Sequence, residues 1–379
     1  MKNVAIIGAG AAGCFCAAVL HQLNPEIRVT LFEKGRTPMA KLALTGGGRC
    51  NLTNTFNEVG NLASVYPRGC RIMKRALNEF SQEDTVRWFE NAGIRLKEED
   101  NGRIFPCSND AMEIVGAILR RMGDARIVTG HAVSSLDELE GYDAIVVTTG
   151  GGTADLVREK GIEVTGQVPS LFTFNLADKD FKTMSGITVK DVCISLSGTN
   201  YKAEGDILIT HWGVSGPAIL KLSSYAAVHL SENGYRGMLS INYRCKDLEQ
   251  IKSNNAQKYV RNTHPENIPA RFWEYLIAKS GLREDIHWAE TGSKGFNRLL
   301  NTLTNDSYAI TGKGTFKEEF VTCGGVSLPE INPATMESRK CPGLYFAGEV
   351  LDIDAVTGGF NLQAAWTTAF LAARSIAGK

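Results

Sequence analysis

Residues 4–33 constrain this chain more than any other stretch. Val4-Ala5-Ile6-Ile7 reads as a buried strand, and Gly8-Ala9-Gly10-Ala11-Ala12-Gly13 follows it directly. An apolar run to Leu20 then reads as a helix, and Arg28-Val29-Thr30-Leu31-Phe32-Glu33 as a second strand ending in an acid. Strand, glycine turn, helix, strand and acid form the frame of a dinucleotide-binding βαβ unit. Gly8 permits the tight turn, Gly10 lets backbone approach a pyrophosphate, and Gly13 lets the helix pack against the strand. The helix start offers free N–H groups and a positive dipole end to phosphates. Glu33, 20 residues beyond Gly13, can accept hydrogen bonds from a ribose and repels a 2′-phosphate. NADP is therefore disfavoured at this turn, while NAD and FAD both remain open.

The chain has 379 residues, long for a single core, so two or three domains are expected. Hydrophobic residues make up 43% and charged residues 22%, the balance of a globular protein, and the net charge is zero. No global basic excess advertises a nucleic-acid partner. Nine cysteines are scattered without any CxxC pair, which suits free thiols in a reducing cytoplasm and gives no metal site. Residues 5–20 imitate a signal core, and Ala12-Gly13-Cys14 resembles a lipoprotein cleavage site. The glycine spacing and the lone Lys2 before it argue for a strand and a turn instead. No segment reads as membrane-spanning.

Beyond the frame, residues 37–54 carry Thr45-Gly46-Gly47-Gly48-Arg49-Cys50-Asn51-Leu52-Thr53-Asn54. So many donors without apolar anchors suit a second backbone cradle for a polar ligand. A helix is expected over 71–92 with a break at Ser81, and two short strands over 94–105 turning at Asp100-Asn101-Gly102. A further helix starts at Asp110, and strands are expected at Ile127-Val128, Ala132-Val133 and 143–148. Thr149-Gly150-Gly151-Gly152 closes the last of these and could pass backbone close to a nucleotide. Short alternating strands follow over 164–244: 171–176, 187–189, 192–196, 207–210 and 237–243. Residues 246–304 read as helical, clearest at 270–278 and 295–303, and 315–326 returns to strand. Near the end, a strand over 343–349 leads to Gly358-Gly359-Phe360-Asn361 and a helix with Leu362, Ala365, Trp366, Ala369, Phe370 and Ala373 on one face. Its N-terminus could stabilise negative charge, as on the N1–C2=O edge of a reduced flavin.

These motifs together resemble the BaiN/HI0933-like flavoproteins across essentially the whole chain. The resemblance rests on the first glycine turn, residues 45–54, Thr210 to Pro217, and Gly348 to Gln363. Ala355 departs from the family's usual glycine, and Cys323 from its usual small residue. The resemblance implies an α/β fold: a Rossmann-like, glutathione-reductase-like FAD-binding domain over 1–160 and 335–379. It implies an inserted antiparallel β-domain over 161–245 and 305–334, and a small helical domain over 246–304. It also implies a non-covalent FAD. Gly8, Gly10, Ala11, Ala12 and Gly13 would hold the pyrophosphate, Glu33 with Lys34 the adenosine ribose, and Val133 would meet the adenine. Lys41, Thr45, Gly46, Gly47, Arg49, Cys50, Asn51, Thr53 and Asn54 would lie along the flavin. Thr149, Gly150 and Gly151 would line the cofactor, Gly348, Glu349 and Asp352 the ribityl region, and Gly359, Phe360, Asn361 and Leu362 the isoalloxazine edge. With no second glycine frame, NAD(P)H would dock only transiently as reductant.

The expected activity is hydride transfer between flavin N5 and a substrate carbon, most simply reduction of an activated C=C bond. The alternatives are reduction of a uridine in 23S ribosomal RNA, oxidation of small amino-ketones, and a non-enzymatic flavin redox sensor. Cys50 and His211 are the candidate proton donors. The substrate is then a small molecule or ribosomal RNA. For RNA, Arg68, Arg71, Lys74 and Arg75 form a local basic run, which reads more simply as the solvated face of a helix.

Overall fold

A computed structural model describes residues 1–151, 155–314 and 321–378. Gly152 and residues 315–320, where the glycine turn and a strand were expected to continue, lie outside the described residues. The chain divides into two compact units, Met1–Val168 with Val321–Lys379, and Pro169–Phe320.

The first unit is built on a five-stranded parallel sheet. Strand β1 (Asn3–Ile7) lies between β2 (Arg28–Glu33) and the Ala144–Val147 strand. Leu344–Phe346 and Arg126–Thr129 form the edges. Val4, Ala5 and Ile6 are fully buried, as expected of a strand covered on both faces. Ile7 stands level with Phe32 and with Val147, and Val147 with Phe346. The strands therefore end together, and their carboxyl ends open on one crevice formed by Gly8, Glu33 and Thr148. Ala132-Val133 is not a strand: the ladder stops where His131 N–H donates to the Glu33 carbonyl.

Helix α1 (Ala11–Leu23) covers the sheet with the C-terminal helix (Phe360–Gly378) packed against it. Phe15 meets Trp366 at 5.1 Å and Trp88 at 4.7 Å, and Phe80 stacks on Phe370 at 4.4 Å. The C-terminal helix does not present a single apolar stripe. Every residue from 363 to 369 is buried, Gln363, Thr367 and Thr368 included, whereas Leu362 and Phe370 are only half-buried. Buried threonines are tolerated because each is hydrogen-bonded: Thr367 Oγ1 donates to the Phe80 carbonyl and Thr368 Oγ1 to that of Ala364. The expected 71–92 helix is two, Cys70–Ala76 and Gln82–Asn91, the second started by a Ser81–Asp84 capping box.

The second unit centres on a closed six-stranded barrel. Its order is Thr188–Leu196, Lys202–Ile209, Gly213–Ser215, Phe174–Leu176, Asp306–Lys313 and Gly237–Asn242. The two strands expected over 187–196 are one, bulged between Val189 and Val192 where Asp191 takes a φ of 47°. Asp306–Lys313, unforeseen as a strand, closes the barrel between Gly237–Asn242 and Phe174–Leu176. Helices Ala270–Lys279 and Gly292–Thr304 share the barrel's core through Phe272, Trp273, Leu276, Leu299 and Leu303. No helix among the described residues is long and apolar enough to cross a membrane.

Candidate functional site

The crevice at the strand ends is shaped by three glycines with three different reasons. Gly8 has a φ of +102°, and a Cβ there would lie 2.7 Å from the Thr148 carbonyl oxygen. A Cβ on Gly13 would lie 2.0 Å from the Gly8 carbonyl oxygen, so α1 can approach β1 this closely only without one. Gly10 differs: a Cβ there meets nothing within 4 Å. Its open face adjoins the first turn of α1, whose leading N–H groups have no intrahelical acceptor. Thr148 Oγ1 fastens the turn from behind by donating to the carbonyls of Ile7 and Gly8, a role the sequence did not reveal.

Glu33 sits beside this turn. Its Oε2 accepts from Ala9 N–H at 2.9 Å and its Oε1 from Gly35 N–H at 2.7 Å. The carboxylate is thus fixed in place with lone pairs left for a ligand. Lys34 is exposed and Val133 buried, just beyond the β2 end.

The 37–54 segment is a short helix, α2 (Ala40–Gly48), followed by β3 (Thr53–Asn54). Met39, left-handed at φ 53°, joins it to the first turn through its N–H to the Ala9 carbonyl. The helix breaks at Thr45, and Gly46, Gly47 and Gly48 follow with φ of 60°, 69° and 85°. Gly47 and Gly48 face open space. Cys50 is fully buried, also left-handed, and burial pushes its thiol up to about 12 despite a bond from Thr45. Arg49 is committed to protein: it pairs with Glu99, donates to Asn109 and lies 4.2 Å from the centre of the Phe105 ring.

β3 packs on the entrance of the C-terminal helix. A Cβ on Gly359 would lie 2.3 Å from the Thr53 carbonyl oxygen. Thr53 Oγ1 donates to Gln363 Oε1 at 2.5 Å, and Asn54 donates to the Gly358 carbonyl. With its amide turned to satisfy both ends, Asn51 donates to the Thr53 carbonyl and accepts from Gly359 N–H. Asn361 uses its side chain to hold both backbone groups of Ala355, and Phe360 is buried against Phe56. Leu362 is half-buried. Gln363 was not among the residues singled out; its position within Gly-Gly-Phe-Asn-Leu-Gln was the only signal.

Gly348 packs against Ala12, its missing Cβ only 2.8 Å from that methyl. Glu349 bonds Lys41 at 2.9 Å and accepts from Thr322 N–H at 2.7 Å. Gly151 leaves room for the Thr322 side chain, and Gly150 lies next to Glu349. Two buried polar atoms along this path have no protein partner, Thr149 Oγ1 and Asp352 Oδ1. First burial and then the nearby Asp354 raise the Asp352 pKa, against the pull of Thr165, Arg68 and Gly324.

His211 belongs to the second unit. It is exposed on the turn between the barrel strands Lys202–Ile209 and Gly213–Ser215, its ring 4.4 Å from that of Trp212. Of the basic run, Arg71, Lys74 and Arg75 are exposed on one short helix. Arg68 instead pairs through two nitrogens with the fully buried Asp354.

A parallel sheet with the glycine turn, helix start and acid at its switch point defines a Rossmann-type α/β protein. A family model, the HI0933-like protein Rossmann domain, matches residues 2–375. The chain belongs to the HI0933-like family, as its motifs suggested. It is 31% identical to the ribosomal RNA dihydrouridine synthase of Escherichia coli (strain K12), over 98% of this chain and 97% of the relative. The same-named protein of Haemophilus influenzae is 29% identical, again over 98% and 97%. The 3-dehydro-bile acid delta(4,6)-reductase of Clostridium scindens is 27% identical, over 100% of this chain and 99% of that protein.

Proposed function

We propose that this protein is an FAD-dependent reductase of an activated C=C bond, and that the bond belongs to a uridine of ribosomal RNA. The observation that carries FAD is the open face of Gly10 between a helix N-terminus and the fixed Glu33 carboxylate. The residues suit the group. The N–H groups of residues 11–13 would neutralise a pyrophosphate, and Glu33 would accept from ribose hydroxyls. The unpartnered Thr149 Oγ1 and Asp352 Oδ1 are polar atoms that a ligand would satisfy. Gly47 and Gly48 leave backbone open to a flat ring, and the C-terminal helix start at Phe360 favours negative charge nearby. Bound FAD supplies hydride chemistry; the protein binds it, orients it and holds the substrate's proton source. NAD(P)H is the proposed transient reductant.

Uridine is favoured by two relatives named as ribosomal RNA dihydrouridine synthases that align along nearly the whole chain. A small conjugated ketone is the second reading. It is favoured by the bile acid reductase relative and by the loss of Arg68 from the basic run to Asp354. The deciding experiment is nucleoside analysis of 23S ribosomal RNA from a deletion strain before and after complementation. Loss of dihydrouridine that returns with the gene supports the first reading; unchanged dihydrouridine overturns it and leaves the second. Amino-ketone oxidation and a redox sensor would instead show as turnover of amino-ketones, or as flavin that no acceptor reoxidises.

A further inference from the structure

Helix Cys70–Ala76 carries charge that the fold does not consume. It buries Ile72, Met73 and Ala76 and exposes Arg71, Lys74 and Arg75. Positions 71, 74 and 75 are spaced i, i+3 and i+4, so the three cations share one face and repel one another. The helix dipole favours Lys74 and Arg75 in the last turn but opposes Arg71 in the first. Counter-ions do not relieve the crowding. Among the described residues no carboxylate lies within ion-pair distance of the three, whereas Lys41, Arg49, Arg68, Lys160, Lys340 and Arg374 of the same unit each have one. The chain has 41 basic and 41 acidic residues, yet residues 59–78 contain no Asp or Glu. Glu79, just beyond, is taken by Arg374, the sole charged residue of the C-terminal helix packed alongside. The position of this face matters as much as its charge. The segment leading into it runs along the entrance of the C-terminal helix. There Val356 N–H donates to the Val65 carbonyl at 2.9 Å, and Tyr66 Oη donates to the Phe360 carbonyl at 2.8 Å. Arg68 holds Asp354, and Gly69 packs against Ile353. The basic face is thus tethered to the loop that presents Gly359 and Phe360.

We propose that Arg71, Lys74 and Arg75 form a docking surface for the phosphate backbone of ribosomal RNA, holding the strand beside the site while its uridine is reduced. The inference rests on the ribosomal RNA reading. Unpaired cations on a protein of zero net charge attract a polyanion, whose bound counter-ions are released, and phosphate contacts of this kind position a strand without reading its bases. Arg68 takes no part, because its guanidinium is committed to Asp354 through two nitrogens. The face supplies grip and orientation rather than chemistry, and a small conjugated ketone would gain nothing from it.

The test uses the full chain and 23S ribosomal RNA stripped of protein from the deletion strain. Affinity is measured by filter binding between about 50 and about 200 mM salt. Combining Arg71→Ala, Lys74→Ala and Arg75→Ala should weaken binding about 10-fold at the low-salt end. The slope of log affinity against log salt should shrink by about 2, roughly 0.7 for each cation removed from single-stranded RNA. In the deletion strain, wild type should restore dihydrouridine and the triple variant should restore it only in part at equal expression. Combining Arg71→Lys with Arg75→Lys keeps the charges and should match wild type in both measurements. Flavin content and thermal midpoint should stay unchanged in every variant, since among the described residues these side chains make no hydrogen bond or ion pair. An unchanged salt slope, or full restoration of dihydrouridine by the triple variant, overturns the docking surface and leaves the ribosomal RNA reading standing. Loss of flavin or of stability in the triple variant also overturns it, by making the three side chains part of the fold. Dihydrouridine that never depended on the gene overturns the ribosomal RNA reading itself, and the docking surface falls with it.

Discussion

At the scale of single residues, the glycine turn separates binding from folding. Gly10→Val adds a side chain to open space, so the variant should fold with a thermal midpoint close to wild type and purify without bound flavin. Full flavin occupancy in that variant would contradict the placement of the site. Gly13→Ala does the opposite. Its Cβ would fall 2.0 Å from the Gly8 carbonyl oxygen, and the forced separation of α1 from β1 should cost about 3 kcal/mol, read by denaturant unfolding. Asp352 gives a pH signature. Its folded pKa is raised, so between the ordinary aspartate value of about 4 and the raised one the folded chain holds a proton the unfolded chain has released. Stability from this group therefore falls as pH rises through that window. Asp352→Asn cannot ionise and should gain on wild type from about pH 4 towards neutrality, with the two level in stronger acid. Denaturant midpoints across a pH series give the answer, and parallel curves would refute a raised pKa.

At the scale of elements, what the sequence made legible was what is local. The βαβ frame, the Ser81 and Asp110 helix starts and the Asp100-Asn101-Gly102 turn are each set by residues a few positions apart. The elements misread were those whose character comes from distant partners. Thr53 and Gln363 are 310 residues apart, and their hydrogen bond is what permits a glutamine inside the C-terminal helix packing. Asp306–Lys313 shows weak alternation by itself and becomes a strand because the barrel supplies a partner on each side. Arg68 looked like part of a solvated basic face until a carboxylate 286 residues away claimed it. One element-scale prediction is simple: Ser81→Ala removes the side-chain half of the capping box, leaving only the Ser81 N–H on Asp84 Oδ2, and should lower stability by about 1 kcal/mol, read as a shifted thermal midpoint.

At the scale of the whole molecule, two units mean that unfolding need not be one event. Asp306 tests this. It is buried in the second unit, accepting from Tyr243 and Tyr308 and paired with Lys279 at 2.6 Å. Asp306→Ala strands those three groups and should destabilise that unit by roughly 3–5 kcal/mol. Its unfolding, followed by the fluorescence of Trp212, Trp273 and Trp288, should then precede release of flavin from the first unit. Coincident transitions would mean that the two units unfold as one.

The parallel sheet borrows one edge from near the far end of the chain: Leu344–Phe346 pairs with Ala144–Val147, and the helix that covers α1 follows it. On a ribosome this imposes a timetable. All six barrel strands, ending with Asp306–Lys313, are synthesised before that edge exists, so the later-starting unit has every strand it needs first. Until the closing helix emerges, the aromatic rings of Phe15 and Phe89 lack Trp366. The nascent first unit therefore spends most of translation with its apolar face uncovered, which is the interval when a chaperone would matter most to this protein.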